Sequence, residues 1–192
     1  MSAYINPPKK IPLFLRMGIW ISKKVTGKDL LPPKLLAWYP KAAIGSGILE
    51  SLVAHGTKDL DPRILKLVRI QCSLAASCPF CIDMNSFEYE KDSITEEELA
   101  VLQGKLDLKQ VTTFSIREKL AIEYSKGISS TPVSFPPTLI NEIKEHFTER
   151  EIVILATTSA QVNYWARVIA ALGVPPAGFS NNCTLIKITT LL

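Results

Sequence analysis

The chain has 192 residues, 47% hydrophobic and 21% charged, enough for one well-filled globular domain and unlike a disordered, collagen-like or coiled-coil chain. Its net charge of +4 is uneven: residues 1–41 hold eight Lys/Arg against one Asp, and the remainder holds 14 against 17 Asp/Glu. A nucleic-acid reader should show a basic stripe interleaved with aromatics, or a known module; neither is found, so nucleic acid is not an expected partner.

Residues 1–41 read as a basic N-terminal arm. Ile11, Phe14, Leu15, Met17, Ile19 and Ile21 are read as one side of a helix, opposite Arg16, Trp20 and Lys23. That apolar side is expected to pack on its own domain or a neighbouring subunit, with reversible membrane contact as the lesser reading. Arg16, Lys23 and Lys24 interrupt the run well short of the roughly 18 apolar residues a membrane span needs. The stretch Ile11–Leu15 is too short for a signal-peptide core, and a cytoplasmic protein is expected. There, Cys72, Cys78, Cys81 and Cys183 read as reduced, catalytic or buried thiols rather than a disulfide framework.

From residue 34 onward the signals are helical, and the fold class is all-α. Helices are expected at about 34–56 (broken near Gly45), 62–77, 79–91, 96–103, 116–127, 137–147 and 149–172. Thr95–Glu98, Ser115–Glu118 and Thr148–Glu151 each set a hydroxyl three residues before a carboxylate, as a capping box requires. Asp61-Pro62 gives a fourth start, and Gly104, Gly127 and Gly173 read as stops. The organisation expected is an arm at 1–41, one helical domain at 42–176 and a tail at 177–192. Within the tail, 185–192 are β-branched enough for a short strand or extended arm.

The strongest chemical signal is Cys78-Pro79-Phe80-Cys81. Pro79 suits the first turn of a helix, which puts Cys78 near the N-cap and Cys81 one turn in. Free N–H groups and the positive dipole end there favour thiolate over thiol. Redox use is the leading reading, with half a zinc site, a structural disulfide and inert thiols as alternatives. Zinc lacks a second paired cluster of ligands, and thioredoxin-type folds need strands before the motif. No cofactor or metal is expected. Cys72 reads as buried core, and His55 as a helix-end residue or a proton relay.

Asp61–Val68, Cys78-x-x-Cys81, Ser115–Glu123 and Phe147–Val174, with Asn163 and Arg167 on the last helix, resemble the carboxymuconolactone decarboxylase family. The branch they are most similar to is the alkylhydroperoxidase D-like (AhpD-like) proteins. The resemblance implies an all-helical bundle assembling as a trimer or hexamer. It implies a dithiol that reduces a small-molecule hydroperoxide and is recharged by a dithiol reductant protein, with Cys81 attacking and Cys78 resolving. The family places a relay Glu twelve residues before the first Cys and a relay His four after the second; this chain has Lys66 and Asn85 there. Asn does not titrate near neutrality, and an unshifted Lys near pKa 10.4 is a poor proton acceptor, so the usual relay does not operate as written. Asn85, one turn past Cys81, shares its helix face, and Glu88 is expected one turn further along. His55 and Glu88 are the replacement carriers, ranked above Asp83. Asn163 and Arg167 share a face read mainly as anchoring a subunit contact.

Overall fold

The computed structural model describes residues 2–51, 54–56 and 59–180; the expected tail strand at 185–192 and Cys183 lie outside the described residues. The described residues form nine α-helices and one 3₁₀ turn, with no strand among them. They are α1 (Leu13–Thr26), α2 (Leu31–Leu36), α3 (Pro40–Ser51), α4 (Pro62–Ala75), α5 (Pro79–Asn85), α6 (Glu96–Leu102), α7 (Ile116–Ser129), α8 (Pro137–His146) and α9 (Glu149–Leu172), with the 3₁₀ turn at Tyr89–Asp92.

All four N-terminal signals hold. Asp61 caps α4 by accepting from the Arg63 amide at 2.8 Å, and the three capping boxes start α6, α7 and α9 with both reciprocal bonds made. Helix α4 is the central element, lying against α5, α7 and α9. Its Ile64, Leu65, Val68 and Cys72 meet Leu120 and Ala121 of α7 and Leu155 and Val162 of α9 in one core. Leu67 and Ile70 of α4 meet Leu99 and Leu102 of α6 and Ile122 of α7 in a second core.

Four expectations are corrected. The expected break near Gly45 falls at 37–39 instead: the amides of Ala37, Trp38 and Tyr39 bond three residues back, and Pro40, with no N–H, starts a new helix that runs through Gly45. The helix expected over 79–91 ends at Asn85, where the Ser86 hydroxyl bonds back to the Ile82 carbonyl. Two residues on, Glu88 adopts φ 53°. Gly127 is no stop, since α7 continues to Ser129; a Cβ there would lie 2.7 Å from the Phe135 ring, so glycine serves close packing. In α1 the residues read as one face divide. Leu15 is buried, and Ile19, Ser22 and Thr26 share its side, while Phe14, Met17 and Ile21 face outward. At 100° per residue Leu15 and Ile19 point away from Met17 and Ile21, so the six do not form a single stripe.

Residues 2–41 contact the body at both ends. The Tyr4 amide donates to the Leu172 carbonyl at 3.0 Å, and Leu35 is buried in the cluster around Cys78 and Cys81.

Candidate active site

The site is built at the junction of α4 and α5. The amides of Ser77 and Cys78 donate to the carbonyls of Leu74 (3.0 Å) and Ser73 (3.2 Å), closing α4 in a Schellman turn with Ser77 at φ 49° in the left-handed position. One residue later α5 begins: Cys78 is its N-cap, Pro79 its first residue, and the Cys81 amide donates to Cys78 Sγ at 3.2 Å. Cys78 is thus both the last residue of one helix-stop motif and the first of a helix start. The two cysteines form a disulfide with a Cα–Cα distance of 5.2 Å.

The sulfurs sit in an apolar cluster. Cys78 and Cys81 are 3% and 2% exposed, packed with Leu35 of α2, Phe80, Ala166 and Ile169 of α9, and Val174 beyond it. A cavity of about 230 Å³ lined by Lys28, Leu30, Leu31, Phe80, Pro175 and Ala177 opens beside the middle of the motif. A second, of about 640 Å³, is lined by Ala76, Ser129, Ala166 and Arg167.

The other sequence-selected residues are held elsewhere. Lys66 Nζ donates to the Phe87 carbonyl at 2.7 Å and lies 3.9 Å from Asp92, tying α4 to the chain leaving α5. Burial pushes its ammonium pKa down, with Asp92 opposing. Asn85 Nδ2 donates to Ser73 Oγ at 2.9 Å, and Ser73 Oγ to the Arg69 carbonyl at 2.7 Å. His55 Nε2 lies 3.1 Å from Thr158 Oγ1; Thr158 is eight residues before Ala166, about 12 Å along α9 at 1.5 Å per residue. Burial, and next the Arg69 charge, hold the His55 imidazole below its usual pKa. Because α5 stops at Asn85, Glu88 does not continue the face of Cys81; it pairs with Lys91 at 2.7 Å on the surface.

Asp83, ranked last as a carrier, is fully buried two residues past Cys81. Its carboxylate accepts from the amides of Phe179 (3.0 Å) and Ser180 (2.9 Å) and from Ser180 Oγ (3.3 Å), pinning residues 179–180 to α5. The Phe179 ring packs 5.7 Å from Phe87, and Lys28 Nζ bonds the carbonyls of Ala177 and Gly178. Nothing in the spacing along α5 marks this anchor, since its partners lie nearly a hundred residues on. Asn163 is held by bonds within the chain: Nδ2 donates to Ser129 Oγ and to the Ser159 carbonyl, both at 2.9 Å, while Oδ1 accepts from Arg167 at 3.1 Å. It ties α9 to α7 within the chain. Cys72 is fully buried, as expected, and burial raises its thiol pKa despite bonds involving Ser129, Ser159 and Ser125.

No family model matches the chain. Two uncharacterized bacterial proteins are similar in sequence: YnjA of Escherichia coli K12, 28% identical over 91% of this chain and 94% of that one, and YdfG of Bacillus subtilis 168, 31% identical over 72% and 93%. Among solved structures, a cysteine-to-alanine variant of the debrominase Bmp8 in complex with 2,3,4-tribromopyrrole superposes with a TM-score of 0.75 at 14% identity, covering 96% of this chain and 95% of that one. An uncharacterized peroxidase-related protein of Ralstonia eutropha JMP134, described as an alkylhydroperoxidase AhpD core, superposes with a TM-score of 0.74 at 13% identity, covering 97% and 96%. These likenesses establish the all-α AhpD-like fold.

Proposed function

Since the chain belongs to the family of Bacillus subtilis YdfG and carries the AhpD-like fold, we propose that it is a thiol-dependent peroxide reductase working through Cys78 and Cys81. The observation that carries this reading is the pair closed as a disulfide at a helix N-terminus inside an apolar enclosure. In the reduced state a thiolate of the pair attacks the terminal oxygen of a hydroperoxide. The O–O bond breaks, the alcohol leaves with a proton, and the cysteine becomes a sulfenic acid. The second thiol attacks that sulfur, expelling water and closing the disulfide. A dithiol reductant protein then returns two electrons and two protons by exchange. The cavity beside Phe80 gives room for a small hydroperoxide.

The resemblance assigns attack to Cys81 and resolution to Cys78. The bond from the Cys81 amide to Cys78 Sγ favours the reverse, because it stabilises a thiolate on Cys78. Single Cys78→Ser and Cys81→Ser variants decide it: the variant that keeps the attacking thiol accumulates a trappable sulfenic acid, and both lose turnover with a dithiol reductant. Unimpaired peroxide consumption by both variants would remove the dithiol from the reaction.

One observation favours a second reading, a helical oligomer or binding module that has lost catalysis. Lys66 and Asn85 spend their polar atoms on structural bonds to Phe87 and Ser73. Lys66→Glu with Asn85→His restores the relay pair, and on the peroxidase reading it raises activity about a hundredfold or more, since general acid–base transfer typically contributes that much. A parent and a double variant that both fail to consume hydroperoxide would establish the second reading. Assembly as a homo-oligomer is part of either proposal.

A further inference from the structure

Helix α1 carries its apolar face outward. Leu15, Ile19, Ser22 and Thr26 turn toward the body, and beneath them a cavity of about 140 Å³ separates α1 from Ser46 of α3 and Trp165 of α9. On the opposite side Leu13, Phe14, Met17, Trp20, Ile21 and Val25 are each between 48% and 80% exposed. At 100° per residue these six cover an arc of about 140°, a continuous stripe rather than scattered side chains. The charges around the stripe are mainly positive, and the first acid along the chain, Asp29, is paired with Lys34 at 2.5 Å. Lys9, Lys10, Arg16, Lys23, Lys24 and Lys28 lie among residues 1–28, which contain no Asp or Glu. Arg16 and Lys23 border one edge of the arc, and Lys24 lies within it, its Nζ 5.7 Å from the centre of the Trp20 ring.

We propose that the outward face of α1 is a docking surface for an anionic lipid surface, on which the helix lies in the plane of the headgroups. An in-plane helix needs an apolar arc with bulky Leu, Phe and Trp side chains, and basic residues at headgroup level. Lys24 can extend its ammonium from the apolar arc to the phosphates while its methylenes stay against Trp20. Charge separates this occupant from a second copy of the chain: a symmetric α1–α1 contact sets Lys24 and its basic neighbours against themselves, with the first acid along the chain, Asp29, already paired with Lys34, whereas an anionic leaflet supplies the opposite sign. The face spans nothing, since no helix among the described residues is long and apolar enough to cross a membrane.

The test is co-sedimentation of the full chain with vesicles of phosphatidylcholine alone and of phosphatidylcholine with phosphatidylserine. The proposal predicts selective binding to the phosphatidylserine vesicles, a blue shift of tryptophan emission, and weakening by added salt. Met17→Ser with Trp20→Ser lowers partitioning about tenfold or more, and Lys23→Gln with Lys24→Gln lowers it severalfold. Both lysines are exposed, and this pair keeps the test decisive if the apolar pair disturbs folding, which circular dichroism reports. Equal or absent binding to the two vesicle types overturns the proposal. So does a Met17/Trp20 variant with unchanged lipid binding but a smaller particle mass by light scattering, which would assign the face to a second copy.

Discussion

Ser77 shows how much of the site hangs on one backbone position. The Schellman turn that ends α4 needs a left-handed residue, and serine there lacks glycine's freedom. The turn nevertheless delivers Cys78 directly to the α5 N-cap, with no loop between the helices. Ser77→Gly is expected to stabilise the protein by about 0.5–1 kcal/mol, read as a higher denaturant midpoint at unchanged slope. A lower midpoint would show that the Ser77 side chain contributes more than its conformation costs. The sequence does not reveal this turn because the usual signal is Gly or Asn. The dithiol's place at a helix start is legible, since Pro79 after Cys78 is a local signal. Asp83 is not: its partners, Phe179 and Ser180, lie nearly a hundred residues away, and spacing along α5 says nothing about them.

At the scale of elements, local signals set where helices begin, and long-range contacts decide how those beginnings are used. Arg63 in the first turn of α4 donates Nη2 to Glu98 and Nε to Glu118, both at 2.6 Å, and Nη1 to the Ser93 carbonyl at 2.5 Å. Glu98 and Glu118 are also the capping-box carboxylates of α6 and α7, so one guanidinium joins three helix starts. Each box is visible in the sequence, but their convergence depends on tertiary packing. Burial pushes the Glu98 carboxyl pKa up, yet bonds from Arg63, Thr113 and the Thr95 amide outweigh it, and the net shift is downward. The carboxylate therefore contributes stability above its unfolded pKa of about 4.5, and the contribution is lost as pH falls through the lower folded value. Glu98→Gln should cost about 3 kcal/mol near neutral pH, because it leaves the Arg63 charge short of a partner, and should flatten the fall in thermal midpoint below pH 4.5. An unchanged acid limb in this variant would locate the pH sensitivity in other carboxylates. Helix ends are the less legible part of the sequence. Gly127 has the composition of a stop and is a packing residue, whereas α5 ends without glycine or proline at its terminus.

For the whole molecule, the all-α architecture is legible from periodicity and caps, and the structure adds which surfaces are left over. Among the described residues three helical cores fill the body, the dithiol occupies the one closed by α2, α9 and residues 174–177, and α1 turns apolar residues outward. Within α1, Leu15 and Ile19 meet the body while Phe14, Met17 and Ile21 face outward, because hydrophobic character alone does not say which arc of a helix meets the protein. In the proposed reaction Cys78 and Cys81 are a two-electron redox pair driven by hydroperoxide. It is tested most directly by the intact mass of the reduced chain after one equivalent of cumene hydroperoxide, followed by mapping of the cysteines. The expected outcome is loss of two hydrogens, with Cys78 and Cys81 joined and buried Cys72 still a free thiol; Cys78 and Cys81 still reduced after the hydroperoxide is offered would rule the reaction out.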